Sequence, residues 1–221
     1  MDLSGILFRC LCALGAGIVL WSATFSREPF EPATVDPTAL FEGGRWRGSV
    51  DAPVRMLVFS DFTCVACRAW ANSALRDVDA ELVREGLVAI GFRHFLVNLE
   101  DLGSHHPSIA AACAGAQGRF WDAHDLLLQE PASGADSLAD RLVGLVPTEF
   151  ESCLRSNSAR KEVLGDQELG KELGVAATPT AYYAVRGPTG FRLMNRTVGG
   201  ISATELVAIL RGLATEAPGL R

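Results

Sequence analysis

The sequence predicts an α/β domain that is interrupted by a block of helices and preceded by a hydrophobic N-terminal segment. Three observations indicate this fold class. Residues 54–59 form an apolar run typical of a buried strand, and a helical pattern begins soon after it. A second buried strand is predicted at residues 87–95. Helix-favouring segments then dominate residues 99–174 before strand patterns return, so a helical insertion is expected within the sheet.

The helix between the first two predicted strands has one apolar side. Trp70, Ala74, Val78 and Leu82 recur every four residues, and Gly86 is placed to end the helix. Strand, helix and strand together predict a β-α-β unit, for which a right-handed crossover is expected.

The later elements are predicted from breaks at glycine and proline. The helical block divides into five segments, at residues 107–117, 118–129, 137–146, 147–155 and 159–174. Two strands follow at residues 181–185 and 191–198. A closing helix is predicted at residues 202–213, where Ser202 and Glu205 fit a capping box.

The N-terminal segment, residues 1–27, is predicted to direct export. Arg9 precedes an uncharged apolar run at residues 10–25, which is typical of a secretory signal or an uncleaved membrane anchor. Both alternatives stay open, with a preference for the anchor because no good small-residue cleavage site follows. The expected location is therefore the cell envelope, in a periplasmic or extracytoplasmic compartment.

A linker and a single domain are expected after this segment. Residues 28–47 form the predicted linker, and its first ten residues hold three prolines and three acids. The domain is expected at residues 48–214, with its helical insertion at about 99–174 and a C-terminal tail at 215–221.

Charge and ligand spacing exclude several classes of function. The net charge of −6 has no concentrated basic region to offset it, so nucleic acid is not an expected partner. A zinc site normally needs four ligands, but the chain has only one Cys-x-x-Cys motif. Arg68 follows that motif where attached haem would require histidine. No metal and no cofactor are expected.

The motif Cys64-Val65-Ala66-Cys67 is predicted to be a redox centre. It lies between a buried strand and the start of a helix, where free backbone N–H groups and the helix dipole stabilise a thiolate. We expect Cys64 to be the exposed nucleophile and Cys67 its partner. A structural disulfide or half of a metal site are the alternatives.

Several short motifs, in order along the chain, carry a resemblance to a known family. They are Asp51-Ala52-Pro53, Val58-Phe59-Ser60-Asp61-Phe62-Thr63-Cys64 with Cys67, Arg93-His94-Phe95, Gln117-Gly118-Arg119-Phe120-Trp121 with His124-Asp125, and Leu173-Gly174-Val175-Ala176-Ala177-Thr178-Pro179-Thr180. With these motifs, residues 48–214 resemble the DsbA-like thiol:disulfide oxidoreductases, which have a thioredoxin-like fold with an inserted helical domain.

The resemblance implies further features of the site. It implies a cis peptide bond between Thr178 and Pro179 that faces the cysteines, with Thr178 offering backbone groups to a bound polypeptide. Some family members carry a disulfide in the helical domain, and two spare thiols in an oxidising compartment tend to pair. Cys113 and Cys153 are therefore a candidate structural disulfide, with two free buried cysteines as the alternative.

The implied activity is disulfide exchange with cysteines of other exported proteins, and a membrane redox partner would reset the cysteine pair. Two departures from the family pattern leave the direction of exchange open. Val58 stands where the family usually has a buried acid. Asp61 could take the place of that acid, or Asp61 could be only a polar residue at the strand end. The dipeptide Val65-Ala66 lacks the histidine of the strongest oxidants. A reductase or isomerase, or a non-catalytic binding or chaperone module, are the alternatives.

Overall fold

A computed structural model of the protein describes residues 40–41, 43–100, 102, 106–130 and 138–217. The predicted signal or anchor at residues 1–27, with Cys10 and Cys12, lies outside the described residues, and so does most of the predicted linker. Among the described helices, none combines the length and the apolar character needed to cross a membrane.

The described part of the chain contains one five-stranded mixed sheet. Its strands are β1 (Arg45–Arg47), β2 (Val54–Ser60), β3 (Val88–His94), β4 (Thr180–Gly187) and β5 (Gly190–Val198), in the order β1-β3-β2-β4-β5. Strands β2 and β3 are parallel, and the other neighbouring strands are antiparallel. The central strand β2 is buried along most of its length because both faces of the sheet are covered, as the apolar residues on both of its faces predict.

Helix α1 connects β2 to β3. It passes through four consecutive segments, Val65–Trp70, Ala71–Leu75, Arg76–Val78 and Asp79–Val83, of which the second and fourth are π-helical. The remaining described helices are α2 (Pro107–Ala116), α3 (Phe120–Gln129), α4 (Leu138–Arg141), α5 (Pro147–Arg155), α6 (Ser158–Glu172) and α7 (Ala203–Thr215). Helices α2 to α6 lie between β3 and β4 in sequence, so the predicted α/β fold with a helical insertion is confirmed.

Two apolar cores lie on opposite faces of the sheet. The larger contains Met56 and Val58 from β2, the apolar side of α1, and apolar residues of the helical block and α7. The smaller contains Leu57 and Phe59 from β2 together with Tyr182 and residues of the chain before β1. Alternate side chains of β2 therefore pack into the two apolar cores. This packing fixes the position of the end of the strand, where the cysteine motif begins.

Strand β1 corrects the predicted linker, because residues 45–47 are part of the sheet and the boundary at residue 48 is too late. The sequence Arg-Trp-Arg is too short to show the alternation typical of a strand, and its side chains are accommodated by distant partners. Arg47 Nη2 lies 2.6 Å from Asp125 Oδ2, and Arg45 pairs with Glu162. Trp46 crosses Gly91 so closely that a Cβ atom on that glycine would lie 2.7 Å from the indole ring.

The fourth predicted helix is also shorter than expected. The sequence pattern predicts a helix over residues 137–146, whereas α4 spans Leu138–Arg141. Gly144 follows with a φ of 84°, a left-handed conformation that interrupts an α-helix and that glycine adopts without strain.

Candidate active site

Cys64 is the residue that caps the N-terminus of α1. Its φ and ψ angles of −74° and 120° are extended, and its Sγ accepts a hydrogen bond from the Cys67 N–H at 3.4 Å. No acidic side chain lies in the first turn of the helix. A negative charge on this sulfur would therefore meet free backbone N–H groups and the positive end of the helix.

The loop before β4 brings a second segment to this sulfur. The Thr178–Pro179 peptide bond is cis, as the family resemblance implied. Because β4 pairs antiparallel with β2, the start of β4 lies beside the end of β2, where the cysteine motif begins. The Sγ of Cys64 lies 3.6 Å from the carbonyl oxygen of Thr178.

The two thiols have opposite pKa shifts. Burial raises the pKa of Cys64, but the nearby Thr178 side chain and the Cys67 and Ala66 backbone outweigh burial, so the pKa lies below its usual value. Burial of Cys67 is more complete and raises its pKa to about 11, although contacts with the Ser60 side chain and the Asp61 backbone lower it in part. Cys64 is thus the thiol that ionises first.

The hydroxyl group of Thr178 acts on both sulfurs. Its Oγ1 is buried and has no hydrogen-bond partner among the described residues, yet the side chain lowers the pKa of both Cys64 and Cys67. An unpartnered hydroxyl beside two thiols is free to donate to whichever sulfur becomes a thiolate.

An open groove of about 490 Å³ begins at Cys64. Its lining comes from three separated parts of the chain: Cys64, then Phe95, Leu96, Val97 and Leu99, and finally Gln167, Ala176, Ala177 and Thr178. We call residues 95–97 the groove wall. Val65 and Val97 are 76% and 70% exposed, so the surface around Cys64 is apolar and accessible. No local sequence pattern joins the parts of this groove, so it was not predicted.

Val58 occupies the position where the family usually has a buried acid, and Asp61 is the candidate to replace that acid. Both residues are buried. Val58 is part of the main core and supplies no titrating group. Asp61 is 1% exposed, and its carboxylate accepts hydrogen bonds from Thr63 and from the Val97 N–H. Asp61 thus links the loop before Cys64 to the chain that follows β3.

The second cysteine pair lies in the helical block. Cys113 on α2 and Cys153 on α5 form a disulfide, with their Cα atoms 5.7 Å apart. Cys113 is fully buried in the main core. In contrast, Cys64 and Cys67 carry free thiols in this structure.

The buried histidines pack within the aromatic core. His94 and His124 contact Phe62, Phe92 and Phe120. Burial lowers the pKa of both imidazoles, and His124 Nδ1 lies 2.8 Å from Asp125 Oδ1. Within the described ranges, no group of three or more potential ligands is placed to hold a metal ion.

Comparison with known proteins agrees with this geometry. The family model described as Thioredoxin matches residues 41–184. The chain belongs to the thioredoxin family. Its sequence is 25% identical over 145 residues to a probable disulfide bond formation protein D of Bacillus anthracis, and 23% identical over 146 residues to disulfide bond formation protein D of Bacillus subtilis. Each alignment covers 61% of this chain, and 67% and 65% of the respective relatives.

Solved structures show the same fold. The crystal structure of Wolbachia pipientis alpha-DsbA1 has a TM-score of 0.66 at 17% identity, covering 79% of this chain and 92% of that one. Oxidised BdbD from Bacillus subtilis has a TM-score of 0.62 at 18% identity, covering 78% and 93%. The resemblance to DsbA-like proteins is confirmed, and the chain is a thiol:disulfide oxidoreductase by class.

A different relative shares only part of its length. The Na(+)/H(+) antiporter NhaA 3 of Salinispora tropica is 30% identical over 159 residues, which cover 69% of this chain and 24% of the antiporter. The chain thus spans about a quarter of that protein. This similarity does not assign transport activity to the present chain.

Proposed function

We propose that Cys64 and Cys67 form a redox pair that exchanges disulfides with cysteines of other, exported proteins. The observation that carries this proposal is the asymmetry between the two sulfurs. Cys64 lies at the helix start, beside an open groove, with a lowered pKa. Cys67 lies one turn further in, buried, with its pKa raised to about 11.

In the oxidising direction, the oxidised pair is attacked at Cys64. A client thiolate forms a bond to Cys64 Sγ, the Cys64–Cys67 bond breaks, and Cys67 leaves with the electron pair and takes up a proton. A second client thiolate then attacks the client sulfur of this mixed disulfide, and Cys64 leaves as a thiolate. The client gains a disulfide, and the Cys64–Cys67 pair has accepted two electrons from it. The lowered pKa of Cys64 favours the last step, since a more stable thiolate leaves faster.

The cis-proline loop is proposed as the client-binding element. Thr178 and Pro179 lie beside Cys64, and the Thr178 carbonyl is 3.6 Å from the reactive sulfur. A client in extended conformation would pair its backbone with this loop while its cysteine approaches Cys64.

The direction of exchange is proposed to be oxidation. A lowered Cys64 pKa stabilises the reduced form of the pair, which makes the disulfide more oxidising. A reductase or isomerase is the second candidate, because Val65 and Ala66 add no charge and leave the thiolate to hydrogen bonds and the helix dipole alone.

Export and a membrane redox partner complete the proposal. Residues 1–27 would act as a signal or an anchor, and the partner would accept two electrons from the reduced pair. Protease added to intact spheroplasts should degrade the domain, because the domain would lie outside the membrane. In untreated cells, a protein mass equal to that of the full-length chain would indicate an uncleaved anchor. A domain protected in spheroplasts and degraded only after lysis would contradict export.

Trapping of mixed disulfides tests the proposed role of the pair. Cys67→Ser should accumulate client proteins bound through Cys64, since the resolving thiol is absent, and a reductant should release them. Cys64→Ser is the matched control and should trap none. If the Cys64→Ser variant still supports client folding at the wild-type rate, the enzyme proposal fails and a binding or chaperone module is supported.

A further inference from the structure

Three hydrogen-bond donors converge on the carboxylate of Asp61, at the end of β2. Oδ1 accepts from the Thr63 N–H and from the Thr63 hydroxyl, both at 2.8 Å. Oδ2 accepts from the Val97 N–H, also at 2.8 Å. Thr63 immediately precedes Cys64, whereas Val97 belongs to the groove wall. One buried side chain therefore joins the loop that carries the nucleophile to the wall of the groove.

The chemistry of this position requires a carboxylate. Asp61 is 1% exposed, so water cannot replace a lost partner easily. An ionised carboxylate accepts on both oxygens, whereas an amide presents one oxygen and an NH₂ group. With asparagine here, one oxygen could still accept from Thr63, but the NH₂ group would face the Val97 N–H. A polar residue that only ended a strand would carry no such requirement.

The groove wall depends on Asp61 at its outer end. The Phe95 N–H donates to the Ser60 carbonyl at 3.0 Å, which continues the sheet by one residue. The Leu96 N–H donates to Gln167 Oε1 at 2.6 Å, so α6 holds the middle of the wall. The Val97 N–H reaches Asp61, although the residue is 70% exposed and its amide would otherwise meet solvent. Asp61 is thus the contact that ties the exposed end of the wall to the Cys64 loop.

We infer that Asp61 is a positioning residue that fixes the groove wall relative to Cys64, so that a bound client presents its cysteine to the reactive sulfur. The inference rests on the proposed function of the pair. It assigns Asp61 to client recognition through Val97, and to placement of Cys64 through Thr63. Asp61 itself touches neither client nor reacting sulfur through its carboxylate.

Asp61→Asn tests this assignment because it removes the acceptor for Val97 while sparing the oxygen for Thr63. We expect KM for a reduced two-cysteine peptide to rise roughly fivefold or more, from the loss of one charge-assisted hydrogen bond. The second-order rate constant for reduction of the Cys64–Cys67 disulfide by glutathione should change less than about twofold, since glutathione needs only Cys64. Both rates are measured on the same protein preparation.

Tyr183→Phe is the matched control for loss of one buried hydrogen bond. The Tyr183 hydroxyl pairs with Thr197 Oγ1 at 2.6 Å between β4 and β5. This variant should lower the melting temperature and leave both rates unchanged. If Asp61→Asn alters the peptide and glutathione rates by the same factor, or alters neither, Asp61 is only structural and the inference is overturned. Cys64→Ser should abolish both rates in either case, which separates this result from failure of the proposed function.

Amide hydrogen exchange of the wild-type protein provides a measurement that needs no stable variant. The Val97 amide should exchange much more slowly than those of unpaired surface residues, because Asp61 accepts its hydrogen. Exchange of Val97 at the rate of an unprotected loop would contradict the inference even if Asp61→Asn fails to fold.

Discussion

The two described cysteine pairs of this protein have the same chemistry and contrasting surroundings. Cys64 and Cys67 are separated by two residues at a helix start, with one sulfur beside an open groove. Cys113 and Cys153 lie 40 positions apart in the sequence and are joined between two helices, with Cys113 in the main core. The first pair is therefore accessible to exchange, and the second is withdrawn from it.

This difference shows that placement, more than residue type, decides what a cysteine pair does. A sulfur becomes reactive where backbone N–H groups stabilise its anion and where a second thiol can approach it. A sulfur becomes structural where its partner lies far along the chain, because the bond then restricts a long loop in the unfolded state.

The largest effect is expected from removing the pair at the helix start. Replacing Cys64 and Cys67 together by alanine should lower the rate of disulfide exchange by at least about a thousandfold, because the nucleophile is lost. Far-UV circular dichroism should be unchanged. Residual exchange within about tenfold of wild type would show that another pair carries the reaction.

Removing the disulfide-bonded pair of the helical block should have the opposite outcome. The Cys113→Ala and Cys153→Ala double variant should lose about 4 kcal/mol of unfolding free energy, as expected for a loop of 40 residues. Exchange per folded molecule should stay within about twofold of wild type. Urea denaturation measures the first quantity, and a loss of exchange without loss of stability would contradict the division of roles.

Within the pair at the helix start, alkylation of the reduced protein should be selective. Thiolates react with iodoacetamide, and the thiol with the lower pKa has the larger thiolate fraction at pH 7. The pKa of Cys64 is lowered from its usual value, whereas burial raises the pKa of Cys67 to about 11, so Cys64 has the larger thiolate fraction. Mass spectrometry of pulsed samples should find modification at Cys64 first. Equal labelling at pH 7 would remove the proposed asymmetry.

A smaller effect is expected from the hydroxyl beside both sulfurs. Thr178→Val keeps the shape of the side chain but removes its donor, so the pKa of Cys64 should rise. The alkylation rate of Cys64 at pH 7 should fall by roughly two- to tenfold. Thr180→Val is the matched control, since the Thr180 hydroxyl donates to Ala177 O at 2.7 Å instead. Equal changes in both variants would mean that the loop, and not the Thr178 hydroxyl, is responsible.

Sequence patterns predicted the elements whose partners are near them in the chain. The buried strand β2, the start of α1 at Cys64 and the helical block all follow from local periodicity and from glycine or proline breaks. Strand β1 was missed because its arginines are paired with Asp125 and Glu162, which are 78 and 117 residues away. Such pairing leaves no trace in a short window of sequence.

The candidate site, likewise, could be predicted from local sequence only where its residues are close together in the chain. The spacing of Cys64 and Cys67 and their position between a strand and a helix indicated the redox pair, whereas the facing Thr178–Pro179 loop came from the family resemblance. The groove wall and the link from Asp61 to Val97 were not predicted, since three separated segments meet there. The sequence shows that Asp61 lies between a strand and the cysteine motif, but the number of donors that its carboxylate satisfies depends on the folded loop.

The reduction potential of the Cys64–Cys67 pair tests the central claim most directly. Equilibration with glutathione, followed by quantification of the oxidised and reduced protein, gives this value. Because the lowered pKa of Cys64 stabilises the reduced form, we predict a potential clearly less negative than the roughly −270 mV of thioredoxin, toward the roughly −120 mV of DsbA. A value at or below about −270 mV would contradict the claim and indicate a reductase.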